Sequence, residues 1–328
     1  MLRTVVYRLL QGVLVILIVS ALTFALLAAA GGDALSSLGG DPLVSEQTVQ
    51  ALRHTYELDK PLVVRYGRWL KGIMSGEMGY SLYYHTQVWS IIRPRLFNTL
   101  ALASVALLLA MTISLALGSL AARRPRGWAD KLTSAVVLIA ASSPRIVLAL
   151  IALALIARSP SFAMNNGVSA NFGVSLMRIF IPALILSVPL IAIFLAQVRD
   201  GLVVALREDF VQVARAKGLD ERAVILRHAL RGALNPLITL FGLSLGSLIS
   251  GSVIIETILG WPGLGQLSIV AVQARDVPLL MGVVLITATA VLIGNLVADI
   301  LLCLNDPRLR HGASTVAGAT GVQAAPLS

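Results

Sequence analysis

The chain has 328 residues, of which 57% are hydrophobic and only 13% are charged, and its mean hydropathy is +0.86. Soluble domains have roughly 45–50% apolar and about 25% charged residues, so the composition excludes an ordinary soluble protein and indicates an integral membrane protein. The net charge of +10 does not indicate nucleic acid binding, because the basic residues flank apolar runs and form no face interleaved with aromatic residues.

Six apolar runs are long enough to cross a bilayer. The first follows Arg3 and Arg8, as in a signal peptide, but it exceeds the apolar core of about 7–15 residues that such peptides have. We interpret it as an uncleaved span, since at ~1.5 Å per residue it reaches ~33 Å. The sequence therefore predicts an all-α integral membrane protein with six transmembrane helices, at approximately residues 9–30, 99–122, 132–156, 179–198, 236–255 and 279–304.

The distribution of Lys and Arg predicts the orientation. With both termini in the cytoplasm, the inner segments contain 15 Lys and Arg residues and the two short outer loops contain 3. An excess of basic residues in cytoplasmic loops is typical of membrane proteins, so we expect both termini inside.

Two segments lie outside the predicted spans and the inner loops. The first outer loop, 31–98, mixes both signs of charge and has helical spacing through Tyr66 and Trp69, which fits either a folded cap or a solvated connector. The tail, 311–328, is rich in small residues without periodicity, and we expect it to be disordered.

Several enzyme motifs are absent or misplaced. Gly242-Leu-Ser-Leu-Gly246 matches the nucleophile-elbow pattern, but it lies within an apolar helix rather than at a strand-to-helix turn. The chain contains no Gly-Lys pair, so it has no P-loop for ATP, and no His or Cys cluster has metal-ligand spacing. We therefore predict no catalytic residue and no cofactor or metal bound by this chain itself.

Ionisable or polar residues within the spans are costly and often face a cavity or a partner. The candidates for a transport path are Arg145, which follows the proline at 144, Gln197, and Glu256 at the outer end of the fifth span. Asp299, in the sixth span, is instead expected to pair with an arginine near the inner interface. Small residues recur along the fifth span at Gly242, Gly246 and Ser250, and again at Ser247 and Gly251, and this spacing predicts close helix packing.

The longest basic insert between apolar runs extends from Asp209 to Pro236. We predict a helix from Phe210 to Lys217 with Phe210, Val213 and Ala214 on one face, a break at Gly218, and a second helix from Glu221 to about Leu234. From composition alone, this insert fits equally a docking site for another protein and an amphipathic segment on anionic lipid.

Motifs in a consistent order resemble those of one transporter family. Ala-Arg-Ala-Lys-Gly-Leu at 214–219 and Arg-His-Ala-Leu-Arg at 227–231 resemble the cytoplasmic coupling loop of ABC importer permeases of the dipeptide, oligopeptide and nickel class. Further motifs similar to the family stand at 57–62, 79–81, 256–258, 261–265 and 306–308. Arg145 departs from the pattern, because an uncharged residue usually follows this proline region.

The resemblance implies the ABC importer permease fold, an ATP-driven import complex and a location in the cytoplasmic (inner) cell membrane. A second homologous permease subunit, two ABC ATPase subunits that bind ATP and Mg, and an extracytoplasmic binding protein would be its partners. Residues 1–310 would form the permease domain, with a coupling loop at 199–235. The resemblance gives ATPase coupling to Asp209, Phe210, Ala214, Arg215, Ala216, Lys217, Gly218 and Leu219.

We also expect the exposed turn formed by Trp261, Pro262 and Gly263 to contact the binding protein. Peptides are the favoured cargo, with nickel complexes, glutathione-like ligands and sugars left open. The alternative function is a secondary transporter or channel with a basic membrane-surface loop, which would work without an ATPase.

Overall fold

The computed structural model describes residues 2–29, 60–158, 172–220 and 223–305. Within these ranges the chain is almost entirely helical, with one short antiparallel hairpin that pairs Tyr80 with Gln87. The elements in chain order are α1 (Leu2–Ala29), α2 (Leu62–Met74), β1 (Tyr80–Ser81), β2 (Thr86–Gln87), α3 (Val88–Arg123), α4 (Trp128–Ser142), α5 (Arg145–Ala157), α6 (Phe172–Ala205), α7 (Asp209–Ala216), π1 (a π-helix, Val224–Ala229), α8 (Leu230–Ile258), α9 (Leu264–Gln273) and α10 (Val277–Asn305).

Five of the described helices are long and apolar enough to cross a membrane, and a sixth span is present if the bent pair α4–α5 is counted as one. The predicted third span, 132–156, is therefore not one straight helix. It bends by 93° between Ser142 and Arg145. The residue before a proline disfavours helical backbone, and Ser143 is accordingly extended, with φ −87° and ψ 111°.

Other helix boundaries also differ from the apolar runs. Helix α3 begins at Val88, so the last part of the predicted outer cap, 31–98, is already the start of a long helix. The predicted second helix of the basic insert does not end near Leu234, since π1 and α8 are continuous through Pro236. Most of the first half of the cap, the tail 311–328 and the motif at 306–308 lie outside the described residues.

The core lies where α3, α6 and α8 pack together. Leu102, Leu186, Phe194 and Leu248 are fully buried there. Gly118 of α3 lets α6 approach closely, because a Cβ at this position would lie 2.7 Å from Val198 Cγ1. Close contact through small residues is the usual way in which membrane helices associate.

Helix α1 lies at the periphery and packs on α10. A Cβ at Gly12 would lie 2.2 Å from Leu292 Cδ1, and Arg8 Nε pairs with Asp299 at 3.1 Å. The expectation that Asp299 pairs with an arginine is thus confirmed. At the other end of α1, the Tyr66 hydroxyl of α2 lies 2.9 Å from Ser20 Oγ, which holds α2 against α1.

Candidate functional site

The predicted coupling region forms a short helix, α7, followed by a glycine turn; residues 209–219 are called the coupling segment below. Asp209 lies in the first turn of α7 and Arg215 in the last, and both charges are favourable to the helix dipole. Seven of the eight residues predicted to couple to an ATPase are exposed, and Ala214 is buried. The segment therefore presents most of its surface away from this chain.

The prediction placed Phe210, Val213 and Ala214 on one side of α7, and the helix keeps them there, since residues three and four apart share a side. Ala214 is buried with Val211, whereas Phe210 and Val213 are 49% and 54% exposed. The sequence did not show which part of this side is buried, because α7 also has an apolar residue beside it, Val211, and only eight residues in which to show a period. Leu219, at 43% exposure, adds to the outward apolar surface.

The end of α7 has a defined geometry around Gly218, which has φ +78°. The Leu219 amide donates to the Ala214 carbonyl at 3.4 Å, and the Gly218 amide donates to the Arg215 carbonyl at 2.9 Å. This pair of bonds is the Schellman arrangement, which requires a left-handed residue and therefore favours glycine. The predicted break at Gly218 is confirmed, and it fixes the direction of the chain after α7.

The coupling segment connects to the membrane helices through two buried side chains. Val211 and Ala214 belong to the same core cluster as Val224, Ile225 and Ala229 of π1. Because π1 continues directly into α8, a displacement of α7 would reach the fifth predicted span through this packing contact.

Glu256 is fully buried near the C-terminal end of α8, which the charge distribution predicts to be the outer end, and its carboxylate accepts hydrogen bonds from groups of this chain. Its Oε2 accepts hydrogen bonds from the amides of Gly265 at 2.7 Å and Gln266 at 3.2 Å. Its Oε1 accepts from Thr99 Oγ1 at 2.8 Å, and Thr99 Oγ1 in turn accepts from the Leu264 amide at 2.8 Å. Glu256 and Thr99 thus cap the first turn of α9, where a negative charge is favoured.

The glycines after Trp261 are explained by this carboxylate. A Cβ at Gly263 would lie 2.4 Å from Glu256 Oε2, and one at Gly265 would lie 2.8 Å from the same oxygen and 2.5 Å from Val253 Cα. The turn is further held to α3, since Asn98 Nδ2 donates to the Pro262 carbonyl at 2.8 Å and Trp261 Nε1 donates to the Asn98 carbonyl at 3.2 Å. Of the three residues expected to contact a binding protein, only Pro262 is exposed; Trp261 is half-buried and Gly263 is buried.

A second buried carboxylate, Asp276, was not identified as a site residue from the sequence. Its Oδ2 accepts from Ser81 Oγ at 2.6 Å and from the Tyr83 amide at 3.0 Å, and its Oδ1 accepts from the Leu279 amide at 3.1 Å. Asp276 therefore caps α10 and fixes the hairpin loop. An Asp immediately before Val-Pro is a helix-start signal that could have indicated the cap, but not its contact with Ser81.

A third carboxylate, Asp130, lies at the inner end of α4 and was also missed. Asp130 accepts from Arg199 Nε at 2.5 Å, from Arg199 Nη2 at 3.2 Å and from the Arg126 amide at 2.9 Å. This pair joins the start of α4 to α6 at the cytoplasmic end predicted from the charges.

The remaining path candidates lie apart from these networks. Arg145 is the first residue of α5, and its guanidinium lies against Gly251 of α8, where a Cβ would be 2.0 Å from Nη1. Gln197 is half-buried in α6, directly before Val198, which contacts Gly118. The structure does not bring Arg145, Gln197 and Glu256 into one cluster of contacts within its described part.

Comparison with known proteins decides the family. Residues 114–311 match the family model of the binding-protein-dependent transport system inner membrane component, and residues 1–103 match its N-terminal membrane component. The chain belongs to the binding-protein-dependent transport permeases. It is thus a multi-pass protein of the cell membrane, as the apolar helices indicate.

Relatives of this permease match over nearly their whole length. The oligopeptide transport system permease protein AppB of Bacillus subtilis is 34% identical over 94% of this chain and 99% of its own. The di/tripeptide transport system permease protein DppB of Pseudomonas aeruginosa is 33% identical over 89% and 94%, and the dipeptide permease DppB of Escherichia coli K12 is 30% identical over the same shares.

Proposed function

We propose that this permease forms half of the translocation path of an ATP-driven importer of peptides. The cargo class follows from the relatives, whose names are those of oligopeptide, dipeptide and di/tripeptide permeases. The complex would contain a second permease subunit, an extracytoplasmic binding protein and two ATPase subunits that bind ATP and Mg. Six spans with both termini in the cytoplasm would place the coupling segment on the side where ATP is available.

The observation that carries the coupling role is the division of α7 into two faces. Phe210, Val213 and Leu219 are exposed, whereas Val211 and Ala214 are buried against π1. An exposed apolar face on a short helix suits a groove of a partner protein. The buried face gives that partner a rigid connection to α8.

The mechanism is a population shift driven by the ATPases. If the ATP-bound ATPase pair holds the coupling segment better in one orientation, closure of the pair favours the bundle conformation that accompanies it. The displacement would pass from α7 through π1 to α8, in the manner of hinge and shear motions. Hydrolysis would return the bundle to the other conformation. The alternative of an ATPase-free secondary transporter is not supported, because the chain belongs to a family of binding-protein-dependent transport components.

The test uses two substitutions at Gly218. A Cβ there meets nothing within 4 Å, so Gly218→Val acts through the backbone, where φ +78° costs an ordinary residue about 1–2 kcal/mol. We expect the Val variant to assemble, to hydrolyse ATP without stimulation by loaded binding protein, and to lose at least about tenfold in uptake rate, the equivalent of ~1.4 kcal/mol of coupling.

Gly218→Asn is the matched control, because asparagine tolerates the left-handed conformation. It should retain stimulated hydrolysis and uptake in proteoliposomes. Normal uptake in the Val variant would show that the geometry of the coupling segment does not transmit the ATPase cycle.

A further inference from the structure

The exposed faces of two membrane helices differ in chemistry. On α1, every exposed residue from Val13 to Ala29 is apolar, as expected for a surface in contact with lipid. On the part of α8 whose side chains the structure describes, the exposed residues fall at helical spacing on one stripe, and three of the five carry a hydroxyl group: Leu243, Ser247, Ser250, Ile254 and Thr257. Ser247 and Ser250 are thus exposed in this chain, although the small-residue spacing predicted that they pack closely. Ser247 and Thr257 donate to their own helix at 3.0 and 2.7 Å, which leaves their oxygens able to accept.

Arg145 lies beside this stripe. Its guanidinium lies against Gly251, which falls between Ser250 and Ile254. The side chain is half-buried, and within the described part of the chain no acceptor lies at hydrogen-bonding distance from it. A guanidinium presents five N–H donors in a planar fork that matches a carboxylate, so this is a large unsatisfied capacity.

The nearby carboxylates of this chain do not supply the missing partner. Glu256 is five residues farther along α8, ~7.5 Å along the helix axis, and it already accepts from three donors. Asp299 is paired with Arg8 and lies at the other end of the spans. An arginine within a membrane span has a large desolvation cost unless it faces a polar cavity or a partner. These carboxylates leave the guanidinium of Arg145 open to a partner from outside the described residues.

We infer that Arg145 binds the C-terminal carboxylate of a peptide in the translocation path. The inference rests on the proposed function, and it adds the chemical group by which the path holds its cargo. The hydroxyl stripe of α8 favours a path that contains water and cargo over a lipid-facing surface. A terminal carboxylate is present in every peptide whatever its side chains, so one arginine would serve cargo of varied sequence.

The position of Arg145 would also allow its contact with cargo to change when the helices move. It is the first residue after the 93° bend between α4 and α5, and it rests on α8, the helix continuous with π1. A displacement of α8 along this contact would alter the space at Gly251 and with it the position of the guanidinium. The carboxylate would be held in one conformation of the bundle and released in the other.

The experiment uses the complete complex in proteoliposomes with its binding protein, and trialanine either as the free acid or as the C-terminal amide. For Arg145→Gln we expect the uptake rate of the acid to fall about tenfold, the size of one lost charge-assisted hydrogen bond, while that of the amide changes less than about twofold. Any preference of the binding protein itself cancels, because the acid-to-amide ratio is compared between permease variants. Arg145→Lys should retain the preference for the acid.

Arg158→Gln is the matched control, since Arg158 lies exposed at the opposite end of α5. It should leave the acid-to-amide ratio unchanged. Equal loss of acid and amide uptake in Arg145→Gln, or no loss of either, would overturn the inference while leaving peptide import intact. Failure of Arg145→Gln, but not Arg145→Lys, to copurify with the second permease would assign the arginine to a subunit contact and would also overturn it. If the unaltered complex imported neither peptide, the proposed function would fail, and this inference with it.

Discussion

The two ends of this permease differ in whether their exposed and buried groups find partners within the chain. At the outer end, Glu256 and Asp276 are fully buried and accept hydrogen bonds from donors of the same chain, so that α9 and α10 are capped and tied to α3 and the hairpin. At the inner end, the coupling segment buries Val211 and Ala214 but leaves Phe210, Val213 and Leu219 exposed. The two buried carboxylates of the outer end are satisfied within the chain, whereas the inner end exposes an apolar surface on α7.

The difference separates stability from coupling. Removing a buried carboxylate that accepts from backbone amides is costly, because each amide is left buried without a hydrogen-bond acceptor. Exposed apolar residues contribute little to the fold and much to association. Substitutions at the outer end should therefore change the free energy of unfolding, and those in the coupling segment should change ATPase binding.

The largest effect on stability is expected for Glu256→Ala. It strands the amides of Gly265 and Gln266 and removes the acceptor of the Thr99 hydroxyl. We expect the free energy of unfolding to fall by about 4 kcal/mol, from roughly 1–3 kcal/mol for each stranded group with partial relaxation. Denaturant unfolding of the purified complex in detergent micelles, followed by circular dichroism, measures this.

Glu256→Gln is the control for size. Its carbonyl oxygen can still accept from the two amides, so the expected loss is only about 1–2 kcal/mol. Equal losses for Ala and Gln would mean that the filled volume of the side chain, rather than the cap on α9, stabilises the outer end.

The outer cap also shows the limit of sequence reasoning. Glu256 could be singled out as a charge at the end of an apolar run, but its partner Thr99 is 157 residues away and its other partners follow a tight turn. Whether two residues so far apart in sequence form a contact depends on how α3 packs against α8. No local sequence pattern predicts this packing. A charge in a span was therefore interpreted as a path residue, although its contacts in this chain are those of a helix cap.

Prolines illustrate the same limit within single helices. Pro144 separates α4 from α5, whereas Pro182 and Pro189 lie inside the continuous helix α6. Each proline removes one backbone hydrogen bond, and neighbouring helices decide whether the helix continues. By contrast, long apolar runs and the break at Gly218 were predictable, because bilayer thickness and the left-handed backbone act on the local sequence alone.

A smaller loss of stability is expected for Asp130→Asn at the inner end. Asp130, like Glu256, accepts from three donor groups, but two of them belong to Arg199, whose side chain is 32% exposed. Water can replace part of what the arginine loses, so the expected cost is about 1 kcal/mol. The same unfolding assay compares the two sites directly. A loss of unfolding free energy as large as that of Glu256→Ala would show that the buried carboxylates stabilise the two ends equally.

The smallest effect on stability and the clearest effect on assembly are expected for Phe210→Ala. Phe210 is 49% exposed and its loss leaves the buried pair Val211 and Ala214 in place, so the free energy of unfolding should change by less than about 0.5 kcal/mol. An aromatic anchor in a protein interface contributes about 2 kcal/mol or more, so the affinity for the ATPase subunits should fall at least tenfold.

Copurification at graded ATPase concentrations measures this affinity. The matched control is Phe97→Ala, which removes an aromatic ring of 61% exposure near the outer end. If both variants retained the ATPases equally, the exposed face of α7 would not be the ATPase-binding surface. Contact with lipid would then have to explain why this face is apolar.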